Sequence, residues 1–523
     1  MLIATLLLAT VDVLTFHNDS LRTGWNSAET RLTQATVSSS QFGVRATLAV
    51  DGNVYAQPLY VHGAMILGAT HNVLIVATEN DSVYAFDADT GATLWHTSFI
   101  DPTRGITAAP GGTCKQIQPW VGISSTPAID RATQRIYVVA KTERTAGSKV
   151  IDANTLHALS LATGQDAVPP VLITGSARLS DGSRVRFDQT LDRNRPGLLL
   201  SRGNVYVGMG SNCDDDGDAV HGWVFAYRAR SLKRVAVFNT TTDVARIYLA
   251  TLWQSTYGLA ADQNGSVYFA TGNGAFDAYP SGNNYGDSVL RLSETLRVQD
   301  YFRPYYLPIQ SDDDLGSGGV MLLPPQPGSF PNEAVVAGKH GAIELMDRDH
   351  LGEYTPSGPD HVLFELPYPG SVYGGPAYFA DALGTFVYYA IGPESLQAYA
   401  LTTSPPALTL SSLTATEFPF GGTIPSVSSN GTRPGTGIVW AVVRARYTGP
   451  SSTPLMLAAF DADDLSRQLF AGPFGVWQNP QGFPMLTPTI ADGKVFVGGS
   501  ATVTVFALGV RSSRLFSAPR RSQ

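Results

Sequence analysis

Two triplets of aspartate carry the side chains in this sequence best suited to chemistry. One, Asp214, Asp215 and Asp216, lies in VYVGMGSNCDDDGDAVHGWVFAY (205–227); the other, Asp312, Asp313 and Asp314, lies in SDDDLGSGG (311–319). Clustered carboxylates supply several oxygens at loose geometry, which suits a hard cation such as Ca²⁺. A solvated turn is the other reading of such a run. His221 follows the first triplet, either as a ligand or acid–base group, or as a core histidine bonded to a loop carbonyl. Trp253 offers a flat aromatic face to a planar ligand, or fills space between packed sheets.

These residues need a frame, and the frame is a repeat. A strand of the type VYVATxN, a turn or insertion, and a strand ending A-φ-D return eight times. The pairs are 73–78 with 83–87, 136–140 with 156–161, 205–208 with 224–228, and 267–271 with 289–293. They continue as 335–338 with 342–347, 386–391 with 396–401, 438–443 with 457–461, and 495–498 with 503–508. Alternating β-branched and aromatic residues at this spacing predict one propeller blade per repeat. The fold class is therefore all-β, a single eight-bladed β-propeller over 16–510, with 43–60 supplying a closure strand to the last blade. Ring closure removes the exposed sheet edges that invite aggregation.

Composition agrees with this frame. The 52 glycines and 33 prolines are spread along the chain and punctuate many short segments. The net charge of −8, with basic residues scattered, argues against a nucleic-acid partner. The basic cluster after residue 510 reads as a disordered tail over 511–523. The apolar run 2–9 (LIATLLLA) reads as a truncated signal segment within 1–15, or as a first strand, and no stretch is long enough to span a bilayer. A secreted or periplasmic protein is expected. Cys114 and Cys213 either pair or remain free thiols, and neither lies in a CxxCH haem pattern.

Residues 85–95, AFDADTGATLW, match the A-x-D-x-x-T-G-x-x-x-W docking signature of quinoprotein propellers, with Thr-Gly for the turn and Trp to cover the next blade. The chain resembles the quinoprotein (pyrroloquinoline quinone, PQQ) alcohol dehydrogenases, and four patches carry the likeness in order. In that family a strand ending Gly-Ser runs into a metal-binding carboxylate, which here falls among Asp214, Asp215 and Asp216. VYFATGNG (267–274) is similar to the strand whose Asn contacts the metal, placing Asn273 there, with Trp253 where an indole stacks on the quinone. The D-x-D run places Asp312 as general base and Asp314 as an extra metal ligand. AGKHGAIELMDR (337–348) places Lys339 as the donor to the cofactor's oxygens.

The resemblance implies PQQ and a calcium or lanthanide ion on the axis, an alcohol or sugar substrate, and a separate molecule as electron acceptor. Two features depart from it: the family's adjacent Cys-Cys pair is absent, and its metal-binding Glu is replaced by Asp. Secreted PQQ-like repeat proteins without a defined activity share HNDSLRTG (17–24), RPGLLL (195–200), HGW (221–223) and DLGSGG (314–319). The opposing expectation is thus a non-catalytic propeller that binds a protein or glycan through its loop face. Convergence of Trp253, Asn273, Asp312, Lys339 and one of Asp214–Asp216 on the axis is what separates the two.

Overall fold

The structure is a computed structural model, and it describes residues 11–111, 116–211, 220–243, 248–309, 311–444, 452–478 and 485–509. Eight sheets of four to six strands and one two-stranded ribbon make up the described chain. Every strand pair expected from the repeat is an antiparallel ladder inside one of these sheets, from Val73–Asp87 in the first to Gly498–Val503 in the last. The protein is an all-β propeller whose core lies between successive sheets. Ile75 and Ala85 of the first sheet, for instance, share one buried cluster with Ile136 and Val138 of the next.

The docking signature works as its residue types require. Asp87 Oδ1 accepts the Asp89 and Thr90 main-chain N–H groups at 3.0 and 2.8 Å, closing the Thr-Gly turn. Trp95 donates its indole N–H to the Leu161 carbonyl of the following sheet at 2.9 Å. Its ring lies so close to Gly164 that a Cβ there would stand 2.5 Å from Trp95 Cε3, and Gly164 has φ of +70°. Only glycine satisfies both conditions. The closure strand is Phe42–Asn53, which pairs along Ser500–Leu508 and ties the beginning of the chain to the last sheet.

A second device closes the ring, and it is an eight-point strap. The segment 13–26 meets every one of the eight sheets, at a strand or at the residue beside it. Val13 exchanges main-chain hydrogen bonds with Tyr60 at 2.8 and 3.0 Å, and the Leu14 carbonyl accepts from Ile129 N at 2.8 Å. Arg22 Nη2 donates to Leu198 O at 3.1 Å. The carbonyls of Ser20, Leu21, Thr23 and Gly24 accept from Ala261, Leu322, Tyr378 and Val427 at 2.8, 2.9, 2.8 and 2.8 Å. Asn26 Nδ2 completes the circuit on Ile490 O at 2.7 Å. One short segment touches all eight sheets only if they surround it, so the strands it meets line the axis and 13–26 plugs it. Of the 1–15 segment read as a leader, residues 11–15 are described, and Val13 is fully buried.

Among the described residues, no helix is long and apolar enough to cross a membrane. Cys114, Cys213 and the basic tail lie outside the described residues.

Candidate functional site

The loops that lead into and out of the axial strands carry the residues singled out by sequence. Trp253 precedes a tight turn, Gln254–Thr256, in which Gln254, Ser255 and Thr256 have φ of +42°, +45° and +76°. Leu249 and Ala250 also have positive φ. Non-glycine residues in this region cost free energy, and the surroundings must hold them there. Gln254 Oε1 accepts Ala270 N at 2.8 Å, its Nε2 donates to Tyr257 O at 2.9 Å, and Ser255 Oγ donates to Ser317 O at 2.8 Å. The turn is thereby bolted to the strand before Asn273 and to the segment after Asp314. Tyr257 continues downward to the plug, where its hydroxyl meets Arg22 O at 2.7 Å.

Asp314, Asn273, Trp253 and Lys339 are brought together. Asp314 Oδ1 accepts the Asn273 main-chain N–H at 2.8 Å, and Lys339 Nζ lies 2.5 Å from Asp314 Oδ2. A Cβ on Gly272 would stand 3.4 Å from both Asp314 Oδ1 and Trp253 Cδ1, so the carboxylate and the indole edge flank one backbone position. Lys339 Nζ also binds Asp312 Oδ1 at 2.6 Å. Burial alone would lower the Lys339 ammonium, but Asp314 and Asp312 outweigh it and hold it above the ordinary lysine range.

The two aspartates are not equivalent. The Asp312 side chain is 89% exposed and Asp314 only 6%. The buried carboxylate beside Asn273 and Trp253 is therefore Asp314, with Asp312 on the rim, because the backbone turns inward only at 314 to enter Leu315–Ser317. Asp214, Asp215 and Asp216 lie outside the described residues. Among the described residues no group of three His, Cys, Asp or Glu side chains is placed to hold a metal. His221 is the bonded core histidine: buried, stacked on Tyr248 at 4.2 Å, with Nδ1 2.8 Å from Thr241 Oγ1, and lowered by burial to about 4.

Three charged residues complete the site and were not singled out for chemistry. The guanidiniums of Arg193 and Arg195 lie 5.4 and 5.3 Å from the Trp253 ring centroid. Arg195 donates to Gln116 Oε1 at 2.8 Å, while among the described residues its buried Nε has no hydrogen-bond partner. Glu79 is fully buried; its Oε2 accepts from Gly122 N at 2.7 Å and Ser124 Oγ at 3.0 Å, and among the described residues its Oε1 has no partner. Burial pushes the Glu79 carboxyl up to about 7, against the opposing pull of Gly122, Ser124, Arg193 and Arg195. The repeat contains the signal for Glu79: VATEN (76–80) and FATGN (269–273) align as one blade position, with Glu79 at the place Gly272 holds in its own sheet.

A scan of protein-family models finds no match to this chain, and a search of curated proteins finds none. Solved structures do match. The quinohemoprotein alcohol dehydrogenase from Comamonas testosteroni aligns with a TM-score of 0.65 at 16% identity, over 98% of this chain and 83% of its own. The fold is that of the quinoprotein dehydrogenases. Quinohemoprotein alcohol dehydrogenase ADHIIG from Pseudomonas putida HK5 gives 0.58 at 15% identity over 98% and 82%, and a europium-containing methanol dehydrogenase gives 0.58 at 11% over 95% and 98%. At these identities the shared feature is the quinoprotein-type propeller itself.

Proposed function

We propose that the axial site oxidises an alcohol or sugar hydroxyl with PQQ and a calcium or lanthanide ion. The observation that carries this reading is the convergence of Trp253, Asn273, Asp314 and Lys339, four residues drawn from separate stretches of sequence. The donors suit the cofactor's chemistry. PQQ is a flat, anionic tricarboxylate quinone; beside Trp253 stand the cations Arg193 and Arg195, and among the described residues Arg195 Nε and Glu79 Oε1 are buried without a hydrogen-bond partner. Buried polar atoms without partners are rare in folded proteins and call for a ligand or water. Asn273 and Asp314 supply oxygens for a hard cation, with Asp214 or Asp216 as the remaining ligands.

When bound, PQQ supplies an electron-poor carbonyl carbon able to take hydride. This chain's residues do the rest. Arg193, Arg195 and Lys339 bind and orient through charge-assisted hydrogen bonds. Asp314 accepts the substrate hydroxyl proton; it uses one lone pair on Oδ1 for Asn273 N–H and one on Oδ2 for Lys339, and of the two left one faces the cation and one takes the proton. Lys339 keeps that carboxylate in place and shields it from Asp312. Electrons leave to a separate acceptor. Export to the periplasm or outside the cell fits this chemistry. The test is an alcohol and sugar screen with an artificial electron acceptor on protein loaded with PQQ and Ca²⁺. Turnover that vanishes in Asp314→Asn and persists in Asp312→Asn supports the reading. No turnover with any substrate refutes it and favours a loop-face binding propeller.

A further inference from the structure

Lys141 stands within the strand Arg135–Ala146 and is 4% exposed. Among the described residues it meets no carboxylate at ion-pair distance. Its ammonium instead donates to three main-chain carbonyls, Gln189 O at 3.1 Å, Thr190 O at 3.2 Å and Asp192 O at 2.9 Å. All three belong to one short stretch of backbone, and the residue that follows it is Arg193. Two positions further comes Arg195, and both guanidiniums lie over Trp253.

The neighbouring strand reinforces the same stretch. Asn154 N donates to Gln189 Oε1 at 2.8 Å, and Asn154 Nδ2 donates to Gln189 O at 3.3 Å and Asp192 O at 3.2 Å. On the far side, Asp192 and Arg193 pair with Ser211 and Gly210, and Asn194 Nδ2 donates to Gly208 O at 2.7 Å. Ammonium has three donors and no acceptor, so three converging carbonyls use its full capacity. Burying such a cation is unfavourable, and an unbranched methionine, one atom shorter, would fill most of the space without that penalty. What methionine cannot do is draw three carbonyls of a loop to one point.

We propose that Lys141 is a positioning residue for the axial site, clamping 189–192 so that Arg193 and Arg195 are held over Trp253. The clamp stands on geometry alone; its effect on cofactor affinity rests on the function proposed above. Burial lowers the Lys141 ammonium to about 8. Asp152, Asp192 and Asp188 oppose that fall and Arg193 adds to it, while Asp81 faces the Lys141 main-chain N–H at 3.1 Å. The cation is thus retained at neutral pH and lost within reach of experiment.

The test compares wild type, Lys141→Met and Lys141→Arg by hydrogen exchange at 188–197 and by Trp253 emission, taken as the difference between each protein and its Trp253→Phe counterpart. In Lys141→Met, exchange at 188–197 should rise about tenfold or more, the Trp253 signal should change, and exchange at 377–403 across the ring should stay as in wild type. Lys141→Arg should restore part of both. Unchanged exchange and an unchanged Trp253 signal in Lys141→Met overturn the clamp. Should Lys141→Met not fold, wild type decides: its Trp253 difference signal should move with a midpoint near pH 8, and a flat profile from pH 6.5 to 9.5 overturns the proposal. PQQ with Ca²⁺ is then titrated into each variant. A wild type that binds no PQQ refutes the proposed function, while exchange and emission still judge the clamp.

Discussion

Replacing Arg22 by Met should destabilise the propeller by about 3–5 kcal/mol, because the plug depends on that side chain more than on any other. The guanidinium is fully buried and donates to Leu259 O at 2.7 Å, Phe16 O at 2.7 Å, Thr15 Oγ1 at 2.8 Å, Leu198 O at 3.1 Å and Asp19 O at 3.3 Å. Methionine removes all five donors. The carbonyls of Leu259, Phe16 and Leu198 then lose their shortest described side-chain donor inside the protein, at about 1–3 kcal/mol for each unsatisfied buried group. Relief of the buried charge offsets part of that sum, since desolvating a cation costs several kcal/mol. Gly258 packs directly on the guanidinium, a Cβ there standing 2.9 Å from Arg22 Cζ, so the shorter methionine also leaves a gap. The assay is equilibrium guanidinium unfolding followed by far-UV dichroism and tryptophan emission, whose coincidence tests two-state behaviour. A stability within about 0.5 kcal/mol of wild type would refute the plug as the ring's keystone.

Other outcomes follow from the same structure. Gly164→Ala should cost about 2–4 kcal/mol, since it puts a side chain at φ +70° and against Trp95, as read from the shift in unfolding midpoint. Lys339→Met should weaken PQQ binding about tenfold or more, while Asp312→Asn, on a side chain 89% exposed, changes it little; isothermal titration separates the two. Glu79 should make stability fall as pH rises from about 4.5 to about 7, because burial raises its folded-state pKa and the folded protein holds that proton longer than the unfolded chain. The size is on the order of 3 kcal/mol, and Glu79→Gln should flatten the corresponding part of the profile; an unchanged slope would show that Glu79 is not the titrating group.

Much of the ring was legible because strand pairs announce themselves by alternation, and the docking signature 85–95 fixes a turn and a tryptophan by residue type. The plug was not. Its strap bonds through main-chain carbonyls, which leave no periodic trace, and Leu14 and Val13 beside an apolar run read as readily as a leader. That Asn273, Trp253 and Lys339 lie near one another was legible from their order along the chain, which resembles that of the quinoprotein dehydrogenases. The choice between Asp312 and Asp314 was not, since both satisfy D-x-D and only the inward turn at Leu315 decides which is buried. Glu79 was hidden in a segment read as a plain turn, although it aligns with Gly272 in the blade repeat. Arg195 was visible only as part of RPGLLL, with nothing local to connect it to Trp253 fifty-eight residues away.

The central claim is that the axial site holds a quinone cofactor, and a titration of metal-free protein with PQQ, with and without Ca²⁺ or a lanthanide, tests it most directly. Following the cofactor's absorbance, the account predicts saturable one-to-one binding that requires the ion and is lost in Asn273→Ala and Asp314→Asn. Absence of any spectral change, in protein shown by thermal unfolding to be folded, would contradict it.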